Sequence, residues 1–386
     1  MSGDSTAPPQ SEGTTSLHAS AKARAYDRIH LRLFVLRTVC IFAALAAYYL
    51  SGASSHLAQG LTDRFGPLAW EACLAYVALS IFGYWALFFP MDQYEGYTLE
   101  HRFGLSHQTY GAWCWDHFKT LALEILFGAV FFSMFYVMAR FFPGSWWLWT
   151  TLVYGLFSVL VAIILPFWLL PLFYSLEPME DDETLTSITR FMQEEGIGVV
   201  GVYRWGLEDK TAAANAAVIG LGNTRRIILG DTLLDEYSQD EILAVLAHEV
   251  GHCKHHDMVR MLLFSTGLAC LGFLGLHLFA IQLQASLSLS ILSDLGTYPV
   301  LAGCLYLYMI LVLPIVNLVS RSREFAADAF AVRSLKTASP LTSALTKLAT
   351  QNLTNPDPAP WVEFLLHSHP SIRRRVRHAQ QVDHQE

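Results

Sequence analysis

Six long apolar stretches constrain this chain more than any other feature of its sequence. Each is near the length of about 20 residues that an α-helix needs to cross about 30 Å of hydrocarbon. Six runs of this length would be abnormal in a soluble protein. The sequence therefore predicts a mainly α-helical fold, a polytopic membrane bundle of six spans. The stretches are Phe34–Gly52, Leu68–Phe89, Leu121–Phe142, Trp146–Leu170, Met261–Ala285 and Val300–Val319.

The composition agrees with a protein surrounded by membrane lipid. Only 15% of the 386 residues are charged and the mean hydropathy is +0.35, whereas an ordinary soluble domain has about 25% charged residues. The net charge of −8 provides no positive field for a phosphate backbone, so we expect no nucleic-acid partner. The six cysteines contain no Cys-x-x-Cys pair, which favours small core side chains over disulfides or metal ligands.

The distribution of Lys and Arg predicts the orientation of the bundle. With six spans, both termini lie on the same side. Of the 25 Lys and Arg residues, all but Arg37, Arg64 and Arg140 fall on that side. By the positive-inside rule it is the cytoplasmic side. The expected location is a bacterial inner membrane or, in a eukaryote, the endoplasmic reticulum membrane.

The remaining patterns divide the chain into five parts. The first 20 residues are rich in Ser, Thr, Gly, Pro and Gln and cannot bury a core. Three β-type runs at 199–205, 215–221 and 226–229 follow a short amphipathic helix around 185–195, which predicts a modest α/β unit. The predicted parts are a disordered tail (1–30), membrane helices 1–4 (31–170), a cytoplasmic α/β segment (171–260), membrane helices 5 and 6 (261–319) and a cytoplasmic helical segment with a C-terminal tail (320–386).

The strongest chemical signal is the HExxH motif His248-Glu-Val-Gly-His252. It lies on a predicted helix that begins with a capping box, in which Ser238 and Glu241 exchange hydrogen bonds between side chain and backbone. A spacing of four puts the two imidazoles one turn apart on the same face, where both can bind one metal ion. Glu249 lies about 100° around the helix and can act on a water at that ion. Two such histidines can also satisfy local hydrogen bonds only, but the cap and the shared face favour a metal site.

A catalytic zinc ion needs a third protein ligand and an open position. Directly after the sixth span, Glu324 and Asp328 are one turn apart on a segment with small residues. Glu324 is predicted to be the third ligand and Asp328 the partner of a ligand histidine, as in carboxylate–histidine–zinc sites. Taken alone, Glu324 and Asp328 would be interpreted as a solvated charged face of a helix, but a metal site at the HExxH motif requires a third ligand. The rival candidates for the third ligand are Cys253, His255, His256 and Asp257.

Further segments carry a family resemblance. They are Glu100-His-Arg-Phe-Gly-Leu-Ser, Pro166-Phe-Trp-Leu-Leu-Pro-Leu-Phe, Asn215-Ala-Ala-Val-Ile-Gly, Arg226-Ile-Ile-Leu-Gly-Asp-Thr-Leu-Leu and His367-Ser-His369-Pro370-Ser. With HExxH and Glu324-Phe-Ala-Ala-Asp328, they resemble the M48 peptidases and, within them, the integral-membrane Ste24-type CAAX prenyl proteases. The resemblance covers most of the chain from Glu100 onward. It implies that the α/β unit is a zincin-like metalloprotease domain.

The resemblance also implies roles for three residues. Asn215 and Ala216 would bind the backbone of the substrate, and His369 would stabilise the tetrahedral intermediate. An edge strand beside a zinc helix also suits the addition of a substrate strand. Without the resemblance, Asn215 would be interpreted as a turn residue and His369 as a surface residue of a basic tail. Ala217 stands where the family has Tyr, and six spans are predicted where eukaryotic members have seven.

The predicted function is hydrolysis of peptide bonds by a membrane-embedded zinc endopeptidase. One zinc ion held by His248, His252 and Glu324 would lower the pKa of its water towards about 7. Glu249 would accept the proton and deliver it to the leaving amine, while His369 would help to stabilise the oxyanion. The expected substrate is a peptide or protein, either of the prenylated CAAX type or otherwise associated with the membrane.

Two alternatives remain open at the level of sequence. The first is an HtpX-like quality-control protease that degrades damaged membrane proteins. The second is a non-catalytic transporter, channel or scaffold. No pair of spans interrupted by Gly or Pro repeats in two halves of the chain, which disfavours a transporter.

Overall fold

Six helical segments are long and apolar enough to cross a membrane. They belong to a computed structural model that describes residues 20–66, 69–180, 182–220, 222–287, 292 and 294–385. The six predicted spans are confirmed, and every segment is longer than the apolar run that predicts it. The segments are Ala21–Leu50, Trp70–Phe103, Tyr110–Phe141, Trp146–Leu172, Asp257–Ser286 and Leu295–Leu335.

Eight α-helices form these segments and the connections between them. Two of the segments contain a stretch of π-helix, at Tyr94–Leu99 and Leu165–Leu169. The second helix lies between the first two spans and was not predicted. The helices are α1 (Ala21–Leu50), α2 (Ala53–Phe65), α3 (Trp70–Gln93), α4 (Glu100–Phe103), α5 (Tyr110–Phe141), α6 (Trp146–Ile164), α10 (Asp257–Leu287) and α11 (Tyr298–Leu335).

The start of α1 corrects the predicted disordered tail of residues 1–30. Helix α1 begins at Ala21, and the side chain of Ser20 caps it by accepting a hydrogen bond from the backbone N–H of Ala23. Residues 1–19 lie outside the described residues. The last third of the predicted tail is helical because one face of it packs on a buried cluster. The packed residues are Ala25, Tyr26 and Ile29, and the cluster is Leu33, Leu99, Phe103 and Leu105.

A small mixed sheet forms the centre of the α/β domain. The strands are β1 (Leu176–Pro178), β2 (Gly201–Trp205), β3 (Ala216–Ile219) and β4 (Arg226–Gly230), in the order β1-β2-β4-β3. Strands β2 and β4 are parallel, and the two outer pairs are antiparallel. The three predicted strand regions are present. Strand β1 was missed because three residues are too few to show an alternating pattern.

Strand β4 lies at the centre of the core, and β3 is an edge strand. Residues Ile227, Ile228 and Leu229 of β4 are at most 1% exposed, which explains a continuous apolar run that does not alternate. Helices cover the sheet on the side of the HExxH motif. They are α7 (Glu183–Glu194), α8 (Asp231–Glu236), α9 (Gln239–Lys254), α12 (Ser339–Gln351) and α14 (Ile372–Asp383). Helix α13 (Pro360–Leu366) packs on α11 instead.

Helix α11 joins the membrane bundle to the α/β domain without a break. Its 38 residues include the sixth apolar run and continue through Glu324 and Asp328. The predicted boundary between a membrane part and a soluble part at residue 320 therefore falls inside one helix. No Gly or Pro occurs between Val319 and Leu335 to end the helix, so the membrane span fixes the position of these carboxylates directly.

Candidate active site

The three predicted metal ligands meet between α9 and α11. The Nε2 atoms of His248 and His252 are 3.2 Å apart. Each of these nitrogens lies 3.4 Å from a carboxylate oxygen of Glu324. Ligands about 2.1 Å from a tetrahedral zinc ion are about 3.4 Å apart. The three side chains therefore have the spacing that a metal of this kind requires.

Local sequence explains how α9 presents the two histidines. The predicted capping box is present: Ser238 accepts a hydrogen bond from the backbone N–H of Glu241, and the Glu241 carboxylate accepts one from the backbone N–H of Ser238. Helix α9 ends at Lys254, His255 is its C-cap residue, and His256 has a left-handed φ of 54°. None of the four rival ligands, Cys253, His255, His256 and Asp257, belongs to the metal-binding group found among the described residues. Among the described residues, the metal-binding group contains His248, His252 and Glu324 only.

Small residues allow α9 and α11 to come close enough for Glu324 to reach the histidines. Gly251 lies between them in the motif, and a Cβ atom there would be only 3.0 Å from the Cα of Ala327. Ala327 is fully buried at this contact. The close approach of the two backbones therefore sets the distance between the imidazoles and the carboxylate.

Carboxylates orient both histidines through their second ring nitrogens. Asp328, which is fully buried, lies 2.9 Å from Nδ1 of His248, as the sequence predicts. Asp257 lies 3.0 Å from Nδ1 of His252, although the sequence suggested it only as a rival ligand. Each contact leaves Nε2 directed at Glu324. Such partners fix the tautomer of a metal-binding imidazole and increase its basicity.

Arg375 is a site residue that sequence analysis missed. It comes from α14 and forms two hydrogen bonds with Asp328, of 2.9 Å from Nε and 2.7 Å from Nη2. Its Nη1 atom is 3.4 Å from Glu324. The sequence signal was only a cluster of four arginines between 373 and 377, which does not show which of them is buried.

The electrostatics favour a cation between these groups. Burial raises the pKa of Glu324, but hydrogen bonds with three histidines hold that pKa far below its usual range. Burial also raises the pKa of Asp328, and Arg375 and His248 lower it to about 2. For His248, burial and Arg375 lower the pKa, but hydrogen bonds with Asp328 and Glu324 raise it to about 9. Both carboxylates are thus ionised at neutral pH. The Oε2 atom of Glu324 is buried and lies 3.0–3.4 Å from nitrogen atoms of His248, His369 and Arg375, so this carboxylate is ionised and directed at the histidines, as a metal ligand must be.

A cavity of about 630 Å³ opens onto the metal-binding group. Glu249 is half-buried in its wall, next to the two histidines. His369 lies in the loop before α14, with its side chain 63% exposed and its Nδ1 atom 3.0 Å from Glu324. Asn215 and Ala216 of the edge strand line the same cavity. Every predicted site residue except Asp328, which lies behind His248, therefore faces one space.

Comparison with known proteins identifies the family. The model of peptidase family M48 matches residues 182–383, which include the whole metal-binding group. This chain belongs to peptidase family M48. In this M48 peptidase, residues 2–175 match a second family model, described as the CAAX prenyl protease N-terminal region with five membrane helices.

Relatives of this M48 peptidase occur in bacteria and eukaryotes. The uncharacterized metalloprotease YhfN of Bacillus subtilis is 25% identical over 99% of this chain and 92% of its own. CAAX prenyl protease 1 of Saccharomyces cerevisiae is 30% identical over 74% of this chain and 67% of its own. The crystal structure of S. mikatae Ste24p has the same fold, with a TM-score of 0.80, 23% identity and coverage of 97% of this chain and 92% of that one.

The M48 peptidase is therefore an integral, multi-pass membrane metalloendopeptidase of the Ste24 type, which acts on peptide or protein substrates. The predicted enzyme class and fold class are confirmed. The HtpX-like alternative is not favoured, and neither is a non-catalytic transporter. The family implies a metal, and the His-His-Glu group fits one.

Proposed function

We propose that this M48 peptidase is a zinc endopeptidase whose ion is held by His248, His252 and Glu324. The observation that carries the proposal is the convergence of the three ligand atoms, within 4.8 Å of one another, in the wall of a cavity that also contains Glu249 and His369. Two imidazoles and one carboxylate are a common ligand set for catalytic zinc in proteases. The ion would supply Lewis acidity to a water and to the scissile carbonyl group.

The protein's own residues perform the proton transfers. Glu249 accepts a proton from the attacking water and then donates it to the leaving amine nitrogen, which is general base and general acid catalysis by one carboxylate. His369 donates a hydrogen bond to the oxygen that becomes negative as the carbonyl carbon is attacked. Asp328 and Asp257 hold the ligand imidazoles in orientation, and Arg375 keeps Asp328 ionised.

The backbone of the edge strand positions the substrate. An extended peptide adds to the free edge of β3 at Ala216, next to the exposed side chain of Asn215. The scissile bond then lies within the cavity, within reach of Glu249.

We further propose that the substrate is a prenylated peptide of the CAAX type. The support is the naming of relatives as CAAX prenyl proteases and the position of the cavity at the end of the membrane bundle. Asn355 lines the cavity and donates a hydrogen bond of 2.9 Å to Asp27 of α1. A lipid on the substrate can therefore remain among the membrane helices while the peptide reaches the zinc site.

The deciding experiment compares wild type with Glu249→Gln and Glu324→Ala. Glu249→Gln should retain zinc and lose peptide hydrolysis by a factor of about 10²–10⁴, because only the proton acceptor is removed. Glu324→Ala should lose zinc, measured as metal content of the purified protein. Undiminished hydrolysis by Glu249→Gln would contradict the mechanism, and full zinc content in Glu324→Ala would contradict the ligand assignment.

Matched peptides test the substrate. A farnesylated CAAX peptide should be cleaved faster than the same peptide without the lipid. Equal rates would contradict the prenyl-substrate proposal and leave the peptidase assignment intact.

We also propose that both termini and the active site face the cytoplasm. The support is the positive-inside distribution of Lys and Arg. A reporter fused to the C-terminus should be active on the cytoplasmic side only, and activity on the opposite side would contradict this orientation.

A further inference from the structure

The free edge of β3 begins at a defined residue. The carbonyl groups of Ala213 and Asn215 point towards β4 and α8, where they accept hydrogen bonds from Thr232 Oγ1 at 3.0 Å and from Gly230 N at 2.9 Å. Backbone groups of neighbouring residues in a strand point in opposite directions. Within β3, Ala216 and Val218 therefore direct their N–H and C=O groups to the outer edge. In the segment before the strand, the hydrogen bonds of Ala212 and Ala214 show that their backbone groups point to the same side.

One side chain occupies the outer edge at Ala214. The backbone N–H of Ala214 donates to Oδ1 of Asn352 at 3.1 Å, and Nδ2 of Asn352 donates to the Ala214 carbonyl at 3.2 Å. A carboxamide carries the same donor and acceptor as a peptide group. Asn352 thus takes the position that the backbone of an added strand would occupy.

The backbone groups of Ala212, two residues before Ala214, are also occupied. The N–H of Ala212 donates to the carbonyl of Leu105 at 3.1 Å, and its carbonyl accepts from Gln351 Nε2 at 2.9 Å. At Ala216 the situation differs. Among the described residues, its N–H donates only to Oδ1 of the preceding residue, Asn215, whose exposed side chain can rotate away. A peptide can therefore pair with the edge from Ala216 onward.

Asn352 is held firmly in this position. The next residue, Leu353, has a left-handed φ of 49° and packs on the buried cluster around Leu99 and Phe103. A leucine keeps this conformation only where its surroundings hold it. The end of α12 is thus attached to the membrane bundle, so Asn352 is a fixed part of the cavity wall, which it lines together with Ala214.

We infer that Asn352 is a specificity-determining residue that ends the substrate-binding edge at Ala214. The inference rests on the proposed function. A peptide that adds antiparallel to β3, the more stable arrangement, has its C-terminal part directed towards Asn352. Substrates with a short segment on the C-terminal side of the scissile bond fit this site, and longer segments must leave the strand.

The test is a peptide series that keeps the residues around the scissile bond and adds one residue at a time on either side. In wild type, kcat/KM should rise with length on the C-terminal side only until Asn352 blocks the next pair, and then stay level or fall. Asn352→Ala exposes both groups of Ala214. Its ratio of kcat/KM for long over short C-terminal segments should increase about tenfold, the worth of two added hydrogen bonds. Length on the N-terminal side should affect both proteins equally.

Gln351→Ala is the matched control, because it removes a neighbouring amide of the same helix end and leaves Ala214 covered. Its length profile should match that of wild type. Asn352→Asp is a second test in case Asn352→Ala does not fold. It keeps the hydrogen-bond acceptor for the Ala214 N–H, so it should change the dependence of kcat/KM on C-terminal length in the same direction but by less.

An unchanged long-to-short ratio in both zinc-containing Asn352 variants would overturn the inference and leave the peptidase assignment standing. A changed profile in Gln351→Ala equal to that of Asn352→Ala would also overturn it. If wild type shows no hydrolysis that depends on Glu249, the proposed function fails, and the inference fails with it.

Discussion

Replacing Gly251 with alanine tests the contact that brings the two halves of the metal site together. The added methyl carbon would lie 3.0 Å from the Cα and 3.2 Å from the carbonyl oxygen of Ala327. Carbon atoms in contact are about 3.5–4.0 Å apart, so α9 and α11 must separate by about 0.5 Å. Because α9 carries both histidines and α11 carries Glu324, this movement changes the distances between the ligands.

The size of the effect differs between stability and metal binding. Overpacking costs about 1–3 kcal/mol, and alanine recovers about 1 kcal/mol of helix propensity relative to glycine. The net decrease in the free energy of unfolding is therefore about 1 kcal/mol. Ligand distances must hold to about 0.2 Å, so the affinity for zinc should fall by about 10- to 100-fold, as when a ligand is misoriented.

The assay measures zinc affinity by competition with a chelator, and unfolding by circular dichroism, both in detergent. Gly267→Ala is the control, since among the described residues no side chain and no neighbouring element lies within 4 Å of a methyl group added to this glycine of α10. The control should keep the zinc affinity of wild type. Wild-type affinity in Gly251→Ala, or an equal loss in Gly267→Ala, would refute the argument that close backbone packing sets the ligand geometry.

Two further predictions concern residues around α9. Asp257→Ala removes the hydrogen-bond partner of His252 Nδ1 and should weaken zinc binding by about 10- to 100-fold. Unchanged zinc affinity in the chelator competition would show that the Asp257 carboxylate does not orient the His252 imidazole. Burial raises the pKa of Glu241, but hydrogen bonds with Lys347 and neighbouring groups lower it to about 2, from an ordinary value of 4.5. Glu241→Gln should therefore reduce the free energy of unfolding by about 2 kcal/mol at pH 7, a figure that allows for screening of the half-exposed Lys347. The pKa of Glu241 is lower in the folded protein than in the unfolded chain. The difference in the free energy of unfolding between wild type and Glu241→Gln should therefore be complete above pH 4.5 and shrink as the pH falls towards 2. A difference that persists at pH 2 in chelator-treated protein would contradict this reasoning.

Local patterns predicted the parts of the fold and of the candidate site that depend on a few neighbouring residues. The capping box at Ser238 and the spacing of His248 and His252 follow from helix geometry alone. Glu324 was found differently, from the chemical need for a third ligand and its place just after a span. The first helix was placed too late because its early turns are polar, and their packing on Phe103 cannot be read from them.

Contacts between distant elements were not predictable in the same way. Arg375 is one of four arginines in a five-residue stretch, and only the packing of α14 shows which one meets Asp328. Asn352 looks like an ordinary residue at the end of a helix. Its contact with the edge strand depends on how α12 is attached to the membrane bundle.

The sequence by itself determined the six membrane helices, the α/β unit and the identity of the metal-binding motif, because apolar length and helical spacing are properties of short segments. The tertiary structure alone decided which side chains share the cavity and where the free edge beside β3 ends. Arg375 meets His248 across 127 residues, and Asn352 meets Ala214 across 138. Such distances are set by the packing of whole helices, so no local pattern contains them.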